Sequence, residues 1–314
     1  MIKILGAFLI SALISCVLGP IIIKLSRRLR AEQPILGYVE NHNVKAGTPT
    51  MGGIIFVLAS GITSIIFLPF GKEGTVCLAI MLAFALIGFL DDYIKVRFKK
   101  NMGLRPYQKI IGQSAVSLIL ALYADRITSG SLQLPFTDHT ISVGAFSIPL
   151  YFLATIATTN AVNLTDGLDG LASVTSVVAL TALVVTCVLA GQWQLAIFSV
   201  TVVGALAAFL VMNCFPAKIF MGDTGSLALG GALSAVAILS EKILFLPVIG
   251  LPFVVSALSV IIQVVYFKLS GGKRVFKMAP FHHHLERMGI HENKITFAYG
   301  LVSVVSCALV IMMI

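Results

Sequence analysis

Ten separate apolar runs divide the chain, at 2–23, 50–69, 75–92, 108–126, 142–160, 171–190, 193–212, 225–240, 243–267 and 295–314. A hydrocarbon core of roughly 30 Å takes about 20 helical residues to cross. Lipid supplies no hydrogen-bond partner, so only helices or closed barrels satisfy the backbone there. These runs are continuous rather than alternating, which argues against a barrel. The pattern predicts an all-α, polytopic integral membrane protein with ten transmembrane helices, forming one unit over 1–314. Two runs are less regular: the fourth carries Gln113 between Gly112 and Ser114, and the eighth is short. Composition agrees, since only 11% of the residues are charged, against about 25% in soluble domains. So few charges cannot clothe a soluble globule of this size. The first run has only Lys3 ahead of it and no small-x-small cleavage pattern, so it reads as a retained helix, not a signal peptide.

The net charge is +9, from 22 Lys and Arg and 13 Asp and Glu. The cations lie in short loops between apolar runs, where anionic headgroups and anionic substrates explain them better than nucleic acid does. With the N-terminus outside, the loops 24–49, 93–107, 161–170, 213–224 and 268–294 with their flanks hold 18 of the 22, leaving Lys3, Lys72, Arg126 and Lys242 opposite. The positive-inside rule makes the richer side cytoplasmic. Cys16, Cys77, Cys187, Cys214 and Cys307 lie in or beside apolar runs and read as small hydrophobes. The outer loop 127–141, with Gly130 and Pro135, has room for a short hairpin.

The acids follow a second pattern. Asp91, Asp92, Asp166, Asp169 and Asp223 fall on the lysine-rich side, at or near span ends, with Asp125 and Asp138 the only aspartates opposite. Carboxylates this close to hydrocarbon are costly and usually face a water-filled cavity or bind something. Asp91 and Asp92 close the third run. Successive helical side chains diverge by about 100°, so the two cannot point alike into one cleft. An acid at a helix C-terminus opposes the macrodipole, and Lys95, Lys99, Lys100 and Lys109 are the cations at hand.

Between the fifth and sixth runs, Asn160 and Asn163 are three apart and would share a helical face. Asp166 and Asp169 follow, beside glycines that permit turns and close backbone approach. Amides there suit a sugar or base, and carboxylates a cation, although the spacing is not that of a calcium loop. Asn213 begins the connection to the eighth run, where Pro216 ends the preceding helix. Asp223, between Gly222 and Thr224, either caps the next helix or offers an oxygen to Mg²⁺, and the two roles compete. His282, His283 and His284 follow Pro280, among Lys273, Arg274, Lys277 and Arg287. Three consecutive imidazoles cannot converge on one zinc ion, whereas imidazoles with cations suit phosphoryl oxygens. The segment 45–53, KAGTPTMGG, offers Lys45 and Thr50 as donors without being a P-loop. Lys109 opens the fourth run, as partner to a phosphate or an Asp, or as a lysine snorkelling to the interface.

Five polar motifs thus meet on one membrane face. Mg²⁺ held by Asp223 and substrate phosphates would neutralise charge in a phosphoryl transfer. A lipid phosphate has its second pKa near about 6, so much of it is dianionic at neutral pH and needs little general base. Asp92 could deprotonate the remainder, or Asp91 or Asp92 could act as a nucleophile in a two-step path. An ion-coupled transporter is the non-enzyme rival, but transporters place ionisable groups near the midplane, and these acids lie at span ends.

KAGTPTMGG at 45–53, the Asp91-Asp92 pair followed by Lys95, Asn160 to Leu171, FPAKIFMGDTGSLALGG at 215–231 and MAPFHHHLE at 278–286 are together very specific. The chain resembles, nearly end to end, the phospho-N-acetylmuramoyl-pentapeptide transferase branch of the polyprenyl-phosphate N-acetylhexosamine-1-phosphate transferases, within glycosyltransferase family 4. The resemblance implies a Mg²⁺-dependent transfer from UDP-MurNAc-pentapeptide to undecaprenyl phosphate with release of UMP. It further implies ten helices, a cytoplasmic active site in a bacterial plasma membrane, and a homodimer. By motif match, Asp91, Asp92 and Asp223 are the essential acids, with Asp223 closest to Mg²⁺. Asn163, Asp166, Asp169 and Lys109 match cleft positions, with Asp169 nearer the uridine end, and Lys45, His282 and His283 match phosphate-side positions. Thr50, Asn160, Asn213 and His284 join them by adjacency. The near alternative is a branch that transfers GlcNAc-1-phosphate; the FHHHLE segment favours the muramoyl-peptide branch.

Overall fold

The computed structural model describes residues 1–29, 47–98, 103–137 and 139–313. In chain order the helices are α1 (Ile2–Arg28), α2 (Gly53–Phe67), α3 (Glu73–Phe98), α4 (Pro106–Thr128), α5 (Ser147–Thr165), α6 (Leu171–Leu189), α7 (Trp193–Asn213), α8 (Gly222–Leu239), α9 (Leu246–Ile249), α10 (Leu251–Leu269), α11 (Phe281–Arg287) and α12 (Glu292–Met312). Strands β1 (Ser131–Gln133) and β2 (Thr140–Ser142) pair antiparallel in the outer loop, as its turn residues allow.

Among the described residues nine helices are long and apolar enough to cross a membrane, and α2 is a tenth, shorter apolar helix of 15 residues. At 1.5 Å per residue α2 is only about 22 Å long, so the expected span 50–69 is overestimated at its start. There Met51 takes a left-handed φ of 69°, and the chain bonds to the stretch before α8 through Phe220 N–H to Pro49 O and Gly52 N–H to Phe220 O, both at 2.8 Å. The ninth expected run is broken by a 3-10 turn at 243–245, α9 and α10. Pro247 and Pro252 each occupy a first turn, where a missing N–H costs nothing. Conversely α5 runs to Thr165, five residues past its expected end, and carries Asn160 and Asn163 on a helix rather than in a loop.

The short eighth run is the centre of the bundle. Every residue of α8 from Thr224 to Leu239 is buried, which explains its small residues: helices in lipid associate by close packing, not by hydrophobic expulsion. Helices α3, α5 and α2 surround it, with Phe56, Phe84 and Phe209 filling the space between. Helices α1 and α7 run parallel, joined by Ser11 Oγ to Thr201 O at 2.5 Å and Ser15 Oγ to Ala205 O at 2.8 Å. The hairpin closes the far end, where Gln133 N–H bonds Glu241 O at 2.9 Å and Phe136 N–H bonds Met313 O at 3.1 Å. The other end holds the C-terminal turns of α3 and α5 and the first turns of α4 and α8.

Candidate functional site

The first N–H groups of a helix need acceptors from outside it, and Met221, which precedes α8, supplies no side-chain cap. The acceptor comes from α3. Asp92 Oδ1 accepts the Asp223 N–H at 3.1 Å, and its Oδ2 accepts the Thr224 N–H at 2.9 Å and the Thr224 hydroxyl at 2.6 Å. An acid unfavourably placed in the C-terminal half of its own helix is therefore favourably placed at the positive end of another. Asp91 diverges from it, as adjacent helical positions must. Its Oδ1 accepts the Leu104 N–H at 2.9 Å, and its Oδ2 pairs with Lys95 at 2.6 Å.

Because Asp92 caps α8, the Asp223 carboxylate is released from that duty. Its Oδ2 lies 2.9 Å from Lys95 Nζ and 2.8 Å from Lys109 Nζ, and its Oδ1 accepts Asn163 Nδ2 at 2.8 Å. The competition between cap and ligand is thus resolved by tertiary structure. Asn163 also bonds Ser226 Oγ at 2.8 Å, and Lys95 bridges Asp91 to Asp223. Oxygens of Asp91, Asp92 and Asp223 all lie within 4.8 Å of one another. Three carboxylates this close are a hard-oxygen donor set able to coordinate a divalent cation, of the kind Mg²⁺ and Ca²⁺ prefer. Gly222, at φ 74°, lies against this group, and a Cβ there would come within 2.6 Å of Asp92 Oδ2 and 3.1 Å of Thr50 Oγ1. Thr50 is buried with its hydroxyl unpartnered among the described residues.

The other expected residues divide. Asp166, just past α5, is half-buried; burial first, then the negative charge of Asp223, Asp92 and Asp169, raises its carboxyl to about 8. Asp169 serves the framework, its Oδ2 accepting the Ala217 N–H at 2.9 Å and its N–H donating to Glu292 Oε1 at 2.5 Å. Asn160 bonds Gln113 Oε1 at 2.8 Å across α5 and α4. That contact accounts for the glutamine in the fourth run. Asn213 spends its amide on Ser173 Oγ at 2.7 Å and Ile219 O at 3.1 Å, not on the acidic cluster. Lys45 lies outside the described residues, as do Lys99, Lys100 and Asp138.

On α11 the His282 and His283 rings lie 4.4 Å apart between centroids, while His284 packs elsewhere. His284 Nδ1 accepts the Lys277 N–H at 3.1 Å, and its ring packs on Phe276 and Phe281 at centroid distances of 5.6 and 5.7 Å. His283 Nδ1 lies 3.0 Å from Glu286 Oε2. His282 is fully buried, its two ring nitrogens unpartnered among the described residues, and both His282 and His283 pack on Gly167. Burial first, then the neighbouring His283, lowers its pKa from 6.5 to about 3. His282 is therefore neutral at physiological pH and brings no positive charge to a phosphate.

This gives a pH prediction. The unfolded chain protonates His282 near 6.5 and the native chain only near 3, so unfolding takes up a proton between those values. Native stability should be unaffected by this group above pH 6.5 and fall as the pH drops through that window, by about 2 kcal/mol at pH 5. Thermal unfolding of the purified protein from pH 7 to 5 should show the loss, and His282→Gln should flatten the slope. An equal slope in the variant would remove His282 as the cause.

Lys95, Thr224 and Ser226 join the site beyond the residues to which the sequence assigns a role. Lys95 carried a signal, being four residues after Asp91 on the same helical face; the other two carried none beyond lying next to Asp223. Against known families, residues 75–241 match glycosyl transferase family 4, and residues 45–57 match signature 1 of the phospho-N-acetylmuramoyl-pentapeptide-transferases. A phospho-N-acetylmuramoyl-pentapeptide-transferase of Clostridium perfringens (strain 13 / Type A) is 46% identical over 309 residues, 97% of this chain and 96% of the relative. One from Clostridium botulinum (strain Eklund 17B / Type B) is 44% identical over 307 residues, 97% and 94% of the two chains. One from Clostridioides difficile (strain 630) is 43% identical over 301 residues, 95% and 93%.

Proposed function

The chain belongs to the phospho-N-acetylmuramoyl-pentapeptide-transferase family, and on that premise we propose that the cluster of Asp91, Asp92, Asp223, Lys95 and Lys109 is where it works. The enzyme transfers phospho-MurNAc-pentapeptide from UDP-MurNAc-pentapeptide to undecaprenyl phosphate, releasing UMP and forming the first lipid-linked peptidoglycan precursor. The signature over 45–57 and relatives 43–46% identical support the muramoyl-peptide branch over one that transfers GlcNAc-1-phosphate. The observation that carries the reading of the site is Asp223, a carboxylate with two lysines on one oxygen and an amide on the other.

Two anions must be brought together, and the residues present suit that task. Lys95 and Lys109 offer cationic donors to phosphate oxygens, and the Asn163 amide orients Asp223 between them. Asp91 and Asp223 would hold Mg²⁺, which when bound supplies a Lewis acid for the pyrophosphate. Asp92 has both oxygens committed to α8, which supports a positioning role over that of nucleophile or base. A lipid phosphate largely dianionic at neutral pH needs little general base, which supports its direct, one-step attack on the pyrophosphate. Thr50, Asp166 and His283 would form the surrounding substrate contacts in this reading, and the motif match alone adds Lys45. The 18 of 22 cations on the same face support placing the site in the cytoplasm of a bacterial cell. The family resemblance also supports a homodimer, testable by cross-linking in membranes.

The reading predicts UMP release from purified protein given UDP-MurNAc-pentapeptide and undecaprenyl phosphate, and none with UDP-GlcNAc. Chelation should stop turnover and added Mg²⁺ restore it. Mn²⁺ bound in place of Mg²⁺ should give a paramagnetic resonance signal that Asp223→Asn abolishes. Turnover undiminished by exhaustive chelation would remove the metal from the proposal.

A further inference from the structure

Away from the acidic cluster, the same end of the bundle carries a cavity of about 580 Å³ between the last turns of α1 and α7 and the connection to α8. Its floor is apolar and includes Pro20 and Met212, and its wall is Lys24, Arg27, Arg28 and Lys218. No acid lines it. Among the described residues none of the four cations lies within salt-bridge distance of a carboxylate. The macrodipole of α1 favours Arg27 and Arg28 at its C-terminus. It does not explain Lys218, which a different segment brings to the same space and which adds to their mutual repulsion.

We propose that this cavity binds the phosphate headgroup of an anionic phospholipid. Four cations around an apolar floor complement a phosphate attached to acyl chains. The cavity also opens beside an outward apolar stripe on α1 that includes Val17, Ile21 and Leu25, all exposed, along which a chain can lie. A soluble phosphate would have no use for that floor. The headgroup would join α1 to the connection that leads to Asp223 in the first turn of α8. In that connection Lys218 N–H bonds Met212 O at 2.8 Å, Ala217 N–H bonds Asp169 Oδ2 at 2.9 Å, and Phe220 N–H bonds Pro49 O at 2.8 Å. Bound lipid therefore braces the strand of chain leading into the first turn of α8.

Native mass spectrometry of the full chain, titrated with phosphatidylglycerol or phosphatidylcholine, tests binding without reference to catalysis. The expected result is preferential retention of phosphatidylglycerol. Lys24→Gln with Lys218→Gln should weaken it by roughly 30-fold, from about fivefold per cation. Lys3→Gln with Lys72→Gln, at the opposite end, should leave it within about twofold, because a headgroup charge acts only locally. Equal retention of the two lipids, an unaltered affinity in the first pair of variants, or a cavity filled by a second copy of the chain without lipid would overturn the site. Transfer rates in phosphatidylcholine bilayers with and without phosphatidylglycerol test the brace. The rate should rise with the anionic lipid and lose that dependence in Lys24→Gln/Lys218→Gln, and a rate equally responsive in both proteins would overturn it.

Discussion

Asp223→Asn should lose transfer activity by at least about 10³-fold, the scale of removing a central electrostatic group from a phosphoryl or acyl transfer site, while the chain still inserts and folds. The carboxylate holds three groups at once: Lys95 and Lys109 at 2.9 and 2.8 Å on one oxygen and Asn163 at 2.8 Å on the other. An asparagine keeps one acceptor oxygen and turns an NH₂ toward donors, so either the lysines or Asn163 lose their partner. The two ammonium groups would then share less negative charge, Asp91 pairing with Lys95 alone, and a divalent cation would lose one of the two carboxylates, Asp91 and Asp223, assigned to hold it. The cap of α8 is untouched, because it uses the backbone N–H of Asp223 and not its side chain. Turnover of the purified variant, with its thermal unfolding measured alongside, separates the effects. A folded Asp223→Asn protein with near-normal turnover at limiting Mg²⁺ would sink the role assigned to this residue.

Gly88→Ala should be nearly as damaging, with a single methyl group far smaller than any catalytic side chain. Gly88 precedes Asp92 by four residues, so the two lie on the face of α3 turned toward α8, with Asp91 diverging beside them. A Cβ at Gly88 would overlap the Asp223 carbonyl and press on the Thr224 nitrogen. Backbone lies on both sides, so no flexible side chain can yield. The helices must separate, which stretches the Asp92 bonds to α8 and moves Asp91 away from Asp223. We expect a destabilisation of about 1–3 kcal/mol and a loss of activity on the order of 10²-fold, as misplacement of a reacting group costs. Gly61→Ala is the control: its Cβ would meet only Leu78, at 4.0 Å, and both stability and activity should stay close to the parent. Equal behaviour of the two variants would show that the α3–α8 contact does not set the geometry of the site.

The sequence shows the membrane architecture because lipid is a demanding solvent. Each apolar run had to be a helix, and the runs at 171–190 and 193–212 match α6 and α7 to within a residue. The errors fall where lipid does not decide. At 50–52 the chain looks apolar but pairs with 220–221 instead of starting α2. At 160–165 the residues are polar enough to read as loop, yet no breaker occurs before Gly167 and the helix continues. Gln113 and Asn160, each odd in its own segment, satisfy one another.

What the amino-acid order determined by itself was the number and alternation of apolar helices, the collection of cations on one side, and the acids that share that side. Those follow from the hydrophobic effect and from the cost of charge in hydrocarbon, which act on each segment separately. Which acid does what was decided only by the packing of α3 on α8. It turns Asp92 to the bare N–H groups of a neighbouring helix and leaves Asp223 free to face Lys95 and Lys109. Roles of that kind depend on distances of a few ångströms between segments more than a hundred residues apart, and no local pattern encodes them.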